Sequence, residues 1–169
     1  MTMPGKVQTI ELNSMLAKTV VSAVVETFTS MTGLTPKPGP VELSKEVNIH
    51  SDISGIITMV QEQTDGVMVL SFPKETIFHI LARIYQQNFL DLNTSVQQGV
   101  AEFSNIIYCQ IKTNLNKSGF NLRMALPNVV IGDQHKVVNS NHGPALVVPF
   151  TINTYTFHVI LQSTSTQTK

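Results

Sequence analysis

Residues 96–112, with the sequence VQQGVAEFSNIIYCQIK, have the spacing of a helix that is apolar on one side only. At about 100° per residue, the apolar side chains fall within an arc of about 80°. They are Val96, Val100, Phe103, Ile107 and Ile111. The opposite side carries Gln98, Glu102, Asn105 and Cys109. The pattern predicts a long helix from Val96 to Lys117 that packs its apolar side on the rest of the molecule.

Two further helices are predicted before this one. Apolar residues recur at steps of three and four from Leu12 to Met31, which predicts the first helix. Asn13 or Ser14 can cap that helix. Pro73 suits the first turn of a second helix, roughly Lys74 to Gln87.

The other apolar segments alternate with turn residues, as is typical of strands. Those before the second helix are Val41–Val47, Ile49–Val60 and Val67–Phe72. Those after the third helix are Asn121–Leu126, Val129–Ile131, Ala145–Ile152 and Thr154–Gln162. Thr64-Asp65-Gly66 predicts a hairpin between Ile53–Val60 and Val67–Phe72, Gly132-Asp133 predicts a turn, and the last two strands predict another hairpin.

The order of helix, strands, two helices and strands favours the α+β class, with a mainly antiparallel sheet on which long helices pack. A chain of 169 residues fits a single domain, 1–169. We expect residues 1–11 and 163–169 to be flexible ends. The last seven residues contain no apolar side chain that could pack against the rest of the domain.

Composition excludes several classes of protein. The 11 basic and 11 acidic residues are scattered and give no net charge, which argues against nucleic acid as the partner. The single Cys excludes a disulfide framework and a Cys-rich metal site. No apolar run approaches the roughly 20 residues of a membrane span. With no signal peptide recognisable, the sequence predicts a cytoplasmic protein.

The candidate site residues are Glu102 and Asn105. They are three positions apart on the predicted long helix, so their side chains project next to each other from its exposed side. Polar residues opposite an apolar stripe also fit an ordinary solvated surface. Asn is a poor helix former that is better suited to caps, however, which hints that another requirement selects it here.

Glu102-Phe-Ser-Asn105, followed by Gly119, Phe120 and Leu126-Pro127, resembles the Glu-x-x-Asn … Pro signature of the CheC/CheX/FliY phosphatases of chemotaxis. The segment from Asn13 to Pro40 and the predicted central hairpin with its following helix are also similar to CheX. Only one Glu-x-x-Asn copy is present, so the chain resembles CheX more than the two-site CheC.

The resemblance implies a phosphatase that acts on the aspartyl phosphate of a CheY-like response regulator. It implies that Asn105 orients the attacking water and that Glu102 docks on the regulator by pairing with a Lys near the phosphate. It further implies Mg²⁺ held by the regulator, with no cofactor or metal in this chain, and a homodimer formed through the sheets.

The sequence departs from the family pattern near the pair. Gln98 stands where Asp or Ser is usual, and Tyr108 and Cys109 stand where small residues are usual. These departures leave two alternatives open. One is a non-catalytic module that binds a response regulator or another signalling partner, and the other is a purely structural subunit.

Catalysis by histidine or cysteine is a weaker alternative. The five His residues form no His-x-x-x-His pair or other metal-binding spacing. They are His50, His79, His135, His142 and His158. A Cys–His nucleophilic site would need Cys109 as the nucleophile, but we expect Cys109 to be an inert, half-exposed thiol and the His residues in strands and helices to be packed or edge residues.

Overall fold

The computed structural model describes residues 4–60, 65–139 and 143–164, and these ranges contain three helices and seven strands. The helices are α1 (Pro4–Thr32), α2 (Lys74–Tyr85) and α3 (Thr94–Lys117). The strands are β1 (Lys37–Pro38), β2 (Glu42–Ser44), β3 (Asn48–Met59), β4 (Asp65–Phe72), β5 (Asn128–Val138), β6 (Ala145–Ile152) and β7 (Tyr155–Thr164).

All seven strands belong to one antiparallel sheet. Its order is β1-β6-β7-β4-β3-β5, and β2 also pairs with β6. Both predicted hairpins are confirmed, because β3 pairs with β4 and β6 pairs with β7. The predicted α+β class with a mainly antiparallel sheet and long packed helices is therefore correct.

The three helices cover one face of the sheet and enclose the main core. The apolar residues predicted to line α3 are all fully buried there. Phe28 of α1 stacks on Phe103 of α3 with 4.4 Å between ring centroids, and Phe157 of β7 lies 4.9 Å from Phe28. This aromatic cluster joins the two long helices to the sheet, which leaves the polar side of α3 facing outward.

A smaller apolar cluster lies on the other face of the sheet. Its buried members are Val47, Val69, Ala145, Val147 and Ile160. The β3–β5 ladder shifts register between Ser51 and Ile53, as in a β-bulge, and such bulges bend strands. Beyond the bulge, Val137 of β5 packs against this cluster and Gln162 donates to the Val138 carbonyl at 3.4 Å.

The predicted start of the first helix is wrong. The helix begins at Pro4 and not at Leu12, so Asn13 and Ser14 lie inside it and do not cap it. The expected flexible ends fall partly outside the described residues, namely at 1–3 and 165–169. The backbone of residues 163 and 164 belongs to β7, where it pairs with β4.

Two strand predictions after α3 are also wrong. Residues 121–126 form no strand, because their backbone bonds to side chains of α3 and to Val60 and not to a full ladder. The predicted turn at Gly132-Asp133 lies within β5, which continues to Val138. Gln134 there has a positive φ of 52°, an irregularity that lets the strand continue past these polar residues.

Candidate active site

Helix α3 lies unusually close to the sheet beneath it. A Cβ atom added to Gly55 of β3 would lie 2.0 Å from the hydroxyl of Ser104, so only glycine fits there. Ser104 is fully buried, and its hydroxyl donates to the Val100 carbonyl at 2.8 Å. A Cβ at Gly99 would likewise meet Leu81 of α2 at 2.7 Å. These close approaches fix the rotation of α3 about its axis.

The start of α3 is fixed by a side-chain cap. The Asn93 side chain accepts a hydrogen bond from the Val96 backbone N–H at 3.1 Å, which satisfies one of the free donors at the helix start. The Gln97 amide donates to the Leu92 carbonyl at 2.9 Å. The helix therefore begins at Thr94, two residues before the predicted start, and its register is well defined.

Glu102 and Asn105 lie together on the solvent-facing side of α3. Glu102 is exposed, and its carboxylate makes no hydrogen bond or ion pair with any residue in the described ranges. Asn105 is half-buried, and its Oδ1 faces the Cys109 thiol at 3.9 Å. That distance is at the outer limit for a sulfur donor, so the Asn105 amide keeps capacity to bind another group.

An open groove between α1 and α3 adjoins Asn105. It has a volume of about 370 Å³. Its walls include Glu26, Asn105, Ile106, Cys109, Gln110 and Thr113. The Gln110 amide donates to the Thr27 hydroxyl at 3.2 Å, and Ser22 donates to the Glu26 carboxylate at 2.9 Å. Sequence periodicity did not single out Glu26, because it lies on another helix and only the fold brings it to this groove.

Tyr108 does not lie on the exposed side of α3, although it departs from the family pattern. It is fully buried, and its hydroxyl donates to the Arg123 carbonyl at 2.6 Å. Burial raises the pKa of Tyr108, and the charge of a neighbouring Cys109 thiolate adds to this effect. Two departures lie on the side of α3 that carries the pair, since Cys109 is half-buried in the groove beside Asn105 and Gln98 is exposed one turn before Glu102.

The histidines lie away from the pair. His135 bonds to the Ser54 hydroxyl through Nε2 at 2.8 Å and to the Gly132 carbonyl through Nδ1 at 3.0 Å. His79 stacks on Tyr155, with ring centroids 4.4 Å apart. Burial lowers the pKa of His158, partly offset by the charge of Glu42. His142 falls outside the described residues.

No histidine contacts the Cys109 thiol within the ranges that the structure describes, so no Cys–His nucleophilic arrangement forms there. The same part of the chain holds no group of three or more His, Cys, Asp or Glu side chains that could bind a metal ion. None of its helices is both long and apolar enough to cross a membrane.

The fold is shared with solved structures of chemotaxis proteins. CheX from Vibrio vulnificus is similar with a TM-score of 0.82 and 26% identity, over 88% of this chain and 99% of that one. A CheC-like superfamily protein from Shewanella gives a TM-score of 0.83 and 24% identity, over 89% of this chain and 97% of the other.

A third similar structure is the CheX-CheY-BeF3-Mg complex from Borrelia burgdorferi, with a TM-score of 0.74 and 19% identity, over 87% of this chain and 96% of that one. No curated protein shows a significant sequence match to this chain. The family model described as "Chemotaxis phosphatase CheX" matches residues 53–151, more than half of the chain, including the hairpin and all of α3. The chain therefore belongs to the CheX family of chemotaxis phosphatases.

Proposed function

We propose that this protein dephosphorylates the aspartyl phosphate of a CheY-like response regulator. The observation that carries the proposal is the position of Glu102 and Asn105 side by side on the open side of α3, next to a groove. Two further findings support the proposal. The chain belongs to a phosphatase family, and it shares its fold with a CheX that is solved in complex with CheY.

Asn105 is the residue proposed to orient the attacking water. A carboxamide can accept a hydrogen bond from water through its oxygen and donate another through its nitrogen. Phosphoryl transfer through a loose transition state requires mainly positioning of the nucleophile in line with the bond that breaks. The water oxygen bonds to phosphorus, the bond from phosphorus to the aspartate oxygen breaks, and phosphate leaves with the water protons.

The catalytic demand on such a site is small. An acyl phosphate is already labile, and a 100-fold acceleration requires only about 2.7 kcal/mol of transition-state stabilisation. Two hydrogen bonds from a well-placed amide are of that order. A general base is therefore unnecessary, and the chain needs no metal site of its own. The proposal places Mg²⁺ on the regulator's carboxylates, where it neutralises the phosphoryl charge.

Glu102 is proposed to dock the regulator. An ionised carboxylate only accepts hydrogen bonds, so it suits a lysine ammonium of the partner. Because the Glu102 carboxylate makes no hydrogen bond or ion pair with the described residues, it does not have to break an internal bond before it pairs. Such a pair, shielded from water in the complex, would set the position of Asn105 relative to the phosphoryl group.

The second candidate is a CheX-like module that binds the regulator without catalysis. The observation that favours it is the Cys109 thiol, a departure from the family pattern that lies 3.9 Å from the Asn105 oxygen proposed to hold the water. Decay of a phosphorylated regulator separates the candidates. A catalyst shortens the half-life of the phosphoryl group, whereas a binding module forms the complex and leaves that half-life unchanged.

We further propose a cytoplasmic homodimer that forms through the sheet. The edge strand β5 supports this, since its outer edge is unpaired in the described residues and it exposes Val130, Ile131 and Val138. Sedimentation at several concentrations measures the oligomeric state. A species of monomer mass at every concentration contradicts the dimer without affecting the catalytic proposal.

A further inference from the structure

The segment after α3 runs back along the flank of that helix as an extended chain. The Asn116 side chain accepts from the Leu122 N–H at 2.8 Å and donates to its carbonyl at 3.1 Å. The Tyr108 hydroxyl bonds to the Arg123 carbonyl, and the Arg123 N–H bonds to the Val60 carbonyl at 3.3 Å. The segment is thus held at successive points, although it forms no regular strand.

Two large apolar side chains of this segment point into solvent. Leu126 is 82% exposed and Met124 is 69% exposed. The Met124 sulfur is contacted by the Lys112 ammonium of α3 at 3.2 Å. We call Met124 and Leu126 the apolar ridge. Apolar side chains that one segment presents together to water, unlike singly scattered ones, are typical of an interaction site.

The apolar ridge lies beside the candidate pair. Tyr108, Lys112 and Asn116, which hold or contact the segment, project from α3 within about 60° of Asn105 around the helix axis. At the end of the segment, Val129 pairs with Gly55, which touches Ser104 of α3. Leu126 is three residues before Val129, so its Cα lies within about 11 Å of the Val129 Cα, on the part of the chain that leads back to the level of Ser104.

The size of a stable protein interface then decides what covers the ridge. A specific complex buries about 800 Å² on each partner, equivalent to a disc of about 16 Å radius. If the contact of a regulator whose phosphoryl group reaches Asn105 is centred there, such a disc covers α3 and its flanks. Met124 falls inside it, because Lys112, whose ammonium contacts the Met124 sulfur, is only about 10 Å along α3 from Asn105, and Leu126 continues the same segment.

We propose that the apolar ridge is the surface on which the receiver domain of the response regulator docks. The inference rests on the proposed function and adds the chemistry of the partner, which must present an uncharged, apolar patch next to its acidic phosphorylation pocket. The ridge supplies affinity through apolar burial, Glu102 supplies an ionic contact, and Asn105 supplies the chemistry.

The test is a titration of the protein with a purified CheY-type receiver domain, with and without beryllium fluoride and Mg²⁺. Leu126→Glu should raise the Kd for the receiver domain bound to beryllium fluoride at least tenfold, because the new carboxylate would be buried without a partner at the contact. Leu90→Glu is the matched control. Leu90 is 95% exposed and precedes the Asn93 cap, which lies about 18 Å along the helix axis from Asn105, so the Kd of the Leu90→Glu protein should stay within twofold of wild type.

Enzyme kinetics give a second measurement. Leu126→Glu should raise the regulator concentration needed for half-maximal dephosphorylation and leave kcat within twofold, because the ridge does not touch the phosphoryl group. Leu126→Ser, which adds no charge, should shift the same way by a smaller factor. Circular dichroism checks that each variant is folded, as expected for so exposed a position.

The outcomes separate this proposal from the proposed function. If the wild-type chain and the Leu126→Glu variant bind the receiver domain with beryllium fluoride equally well, the ridge proposal fails and the proposed function stands. If the wild-type chain binds no receiver domain, both fail. If Leu126→Glu turns a dimer into a monomer and leaves regulator binding intact, the ridge is a self-contact and the proposal is overturned.

Discussion

Ser104 of α3 and Gly55 of β3 touch so closely that no side chain fits between them, since a Cβ at Gly55 would lie 2.0 Å from the Ser104 hydroxyl. Ser104 lies between Glu102 and Asn105 in sequence, but its side chain is fully buried against the sheet. The contact therefore fixes the distance between α3 and the sheet. It also fixes the rotation of α3 that turns the candidate pair toward solvent.

Gly55→Ala should destabilise the protein by about 1–3 kcal/mol, because the added methyl group overpacks the α3–β3 contact. Urea unfolding measures the change in the free energy of unfolding. Gly143→Ala is the matched control, since a Cβ there meets no atom within 4 Å. If the two variants unfold at the same urea concentration, α3 does not depend on this close approach.

Tyr108→Phe removes the hydroxyl that holds the Arg123 carbonyl and should cost about 1 kcal/mol of stability. The pKa of Tyr108 is raised above its ordinary value of 10.0, so the folded state favours the neutral phenol. Its contribution is complete below pH 10 and is lost as the pH rises toward the folded-state value. Thermal unfolding between pH 8 and pH 12 should show a shallower alkaline loss for Tyr108→Phe, and identical slopes would contradict this.

Asp52 joins two parts of the fold at the β3 bulge, since its carboxylate accepts from the Lys74 N–H at 2.8 Å and from the Gln134 N–H at 3.0 Å. Burial raises its pKa, but these backbone donors and the charge of Lys74 outweigh burial, so the pKa lies below the usual 3.8. This stabilisation is present above pH 3.8 and is lost as the pH falls further.

Asp52→Asn should therefore cost about 1–3 kcal/mol at pH 7, because the amide nitrogen cannot accept from a backbone N–H. Unfolding followed from pH 7 to pH 2 should show a weaker acid dependence in the variant. Asp91→Asn is a matched control at an exposed position and should leave the stability at pH 7 unchanged. Equal stability of Asp52→Asn and the wild type at pH 7 would contradict the claim that the Asp52 carboxylate stabilises the bulge.

Cys109 is the single Cys, so a maleimide reagent labels one defined position. The adduct would fill the groove beside Asn105 and should abolish stimulated dephosphorylation. Cys109→Ala should keep activity within a few-fold of wild type and should resist the reagent, because the thiol is not proposed as a nucleophile. An inactive Cys109→Ala protein that folds normally would instead assign the thiol a direct role.

The long helix was the part of the fold most predictable from sequence. Its apolar residues recur over about four turns, and all of those predicted to line the core are buried. The strand prediction at 121–126 is wrong, because its apolar residues alternate as in a strand. Its actual partners are the Asn116 and Tyr108 side chains of α3, and the alternation of apolar residues carries no information about these side-chain contacts.

The candidate pair could be located from sequence, since a spacing of three on a helix fixes two side chains on one side. Two other features could not be located from sequence, namely the groove wall formed by Glu26 and, separately, the apolar ridge. Glu26 lies on α1 and Leu126 lies in an irregular segment, and each reaches the site only through packing of elements that are distant in sequence. The predicted start of the first helix is eight residues too late, because residues 4–11 contain only two large apolar side chains, Val7 and Ile10.

The most direct test of the central claim is the decay of a phosphorylated CheY-type receiver domain in the presence of wild-type, Asn105→Ala and Glu102→Ala proteins. Wild type should accelerate the decay, Asn105→Ala should bind the domain but leave its intrinsic rate unchanged, and Glu102→Ala should lose both affinity and rate. An Asn105→Ala protein that accelerates decay as well as wild type would contradict the claim that this amide positions the attacking water.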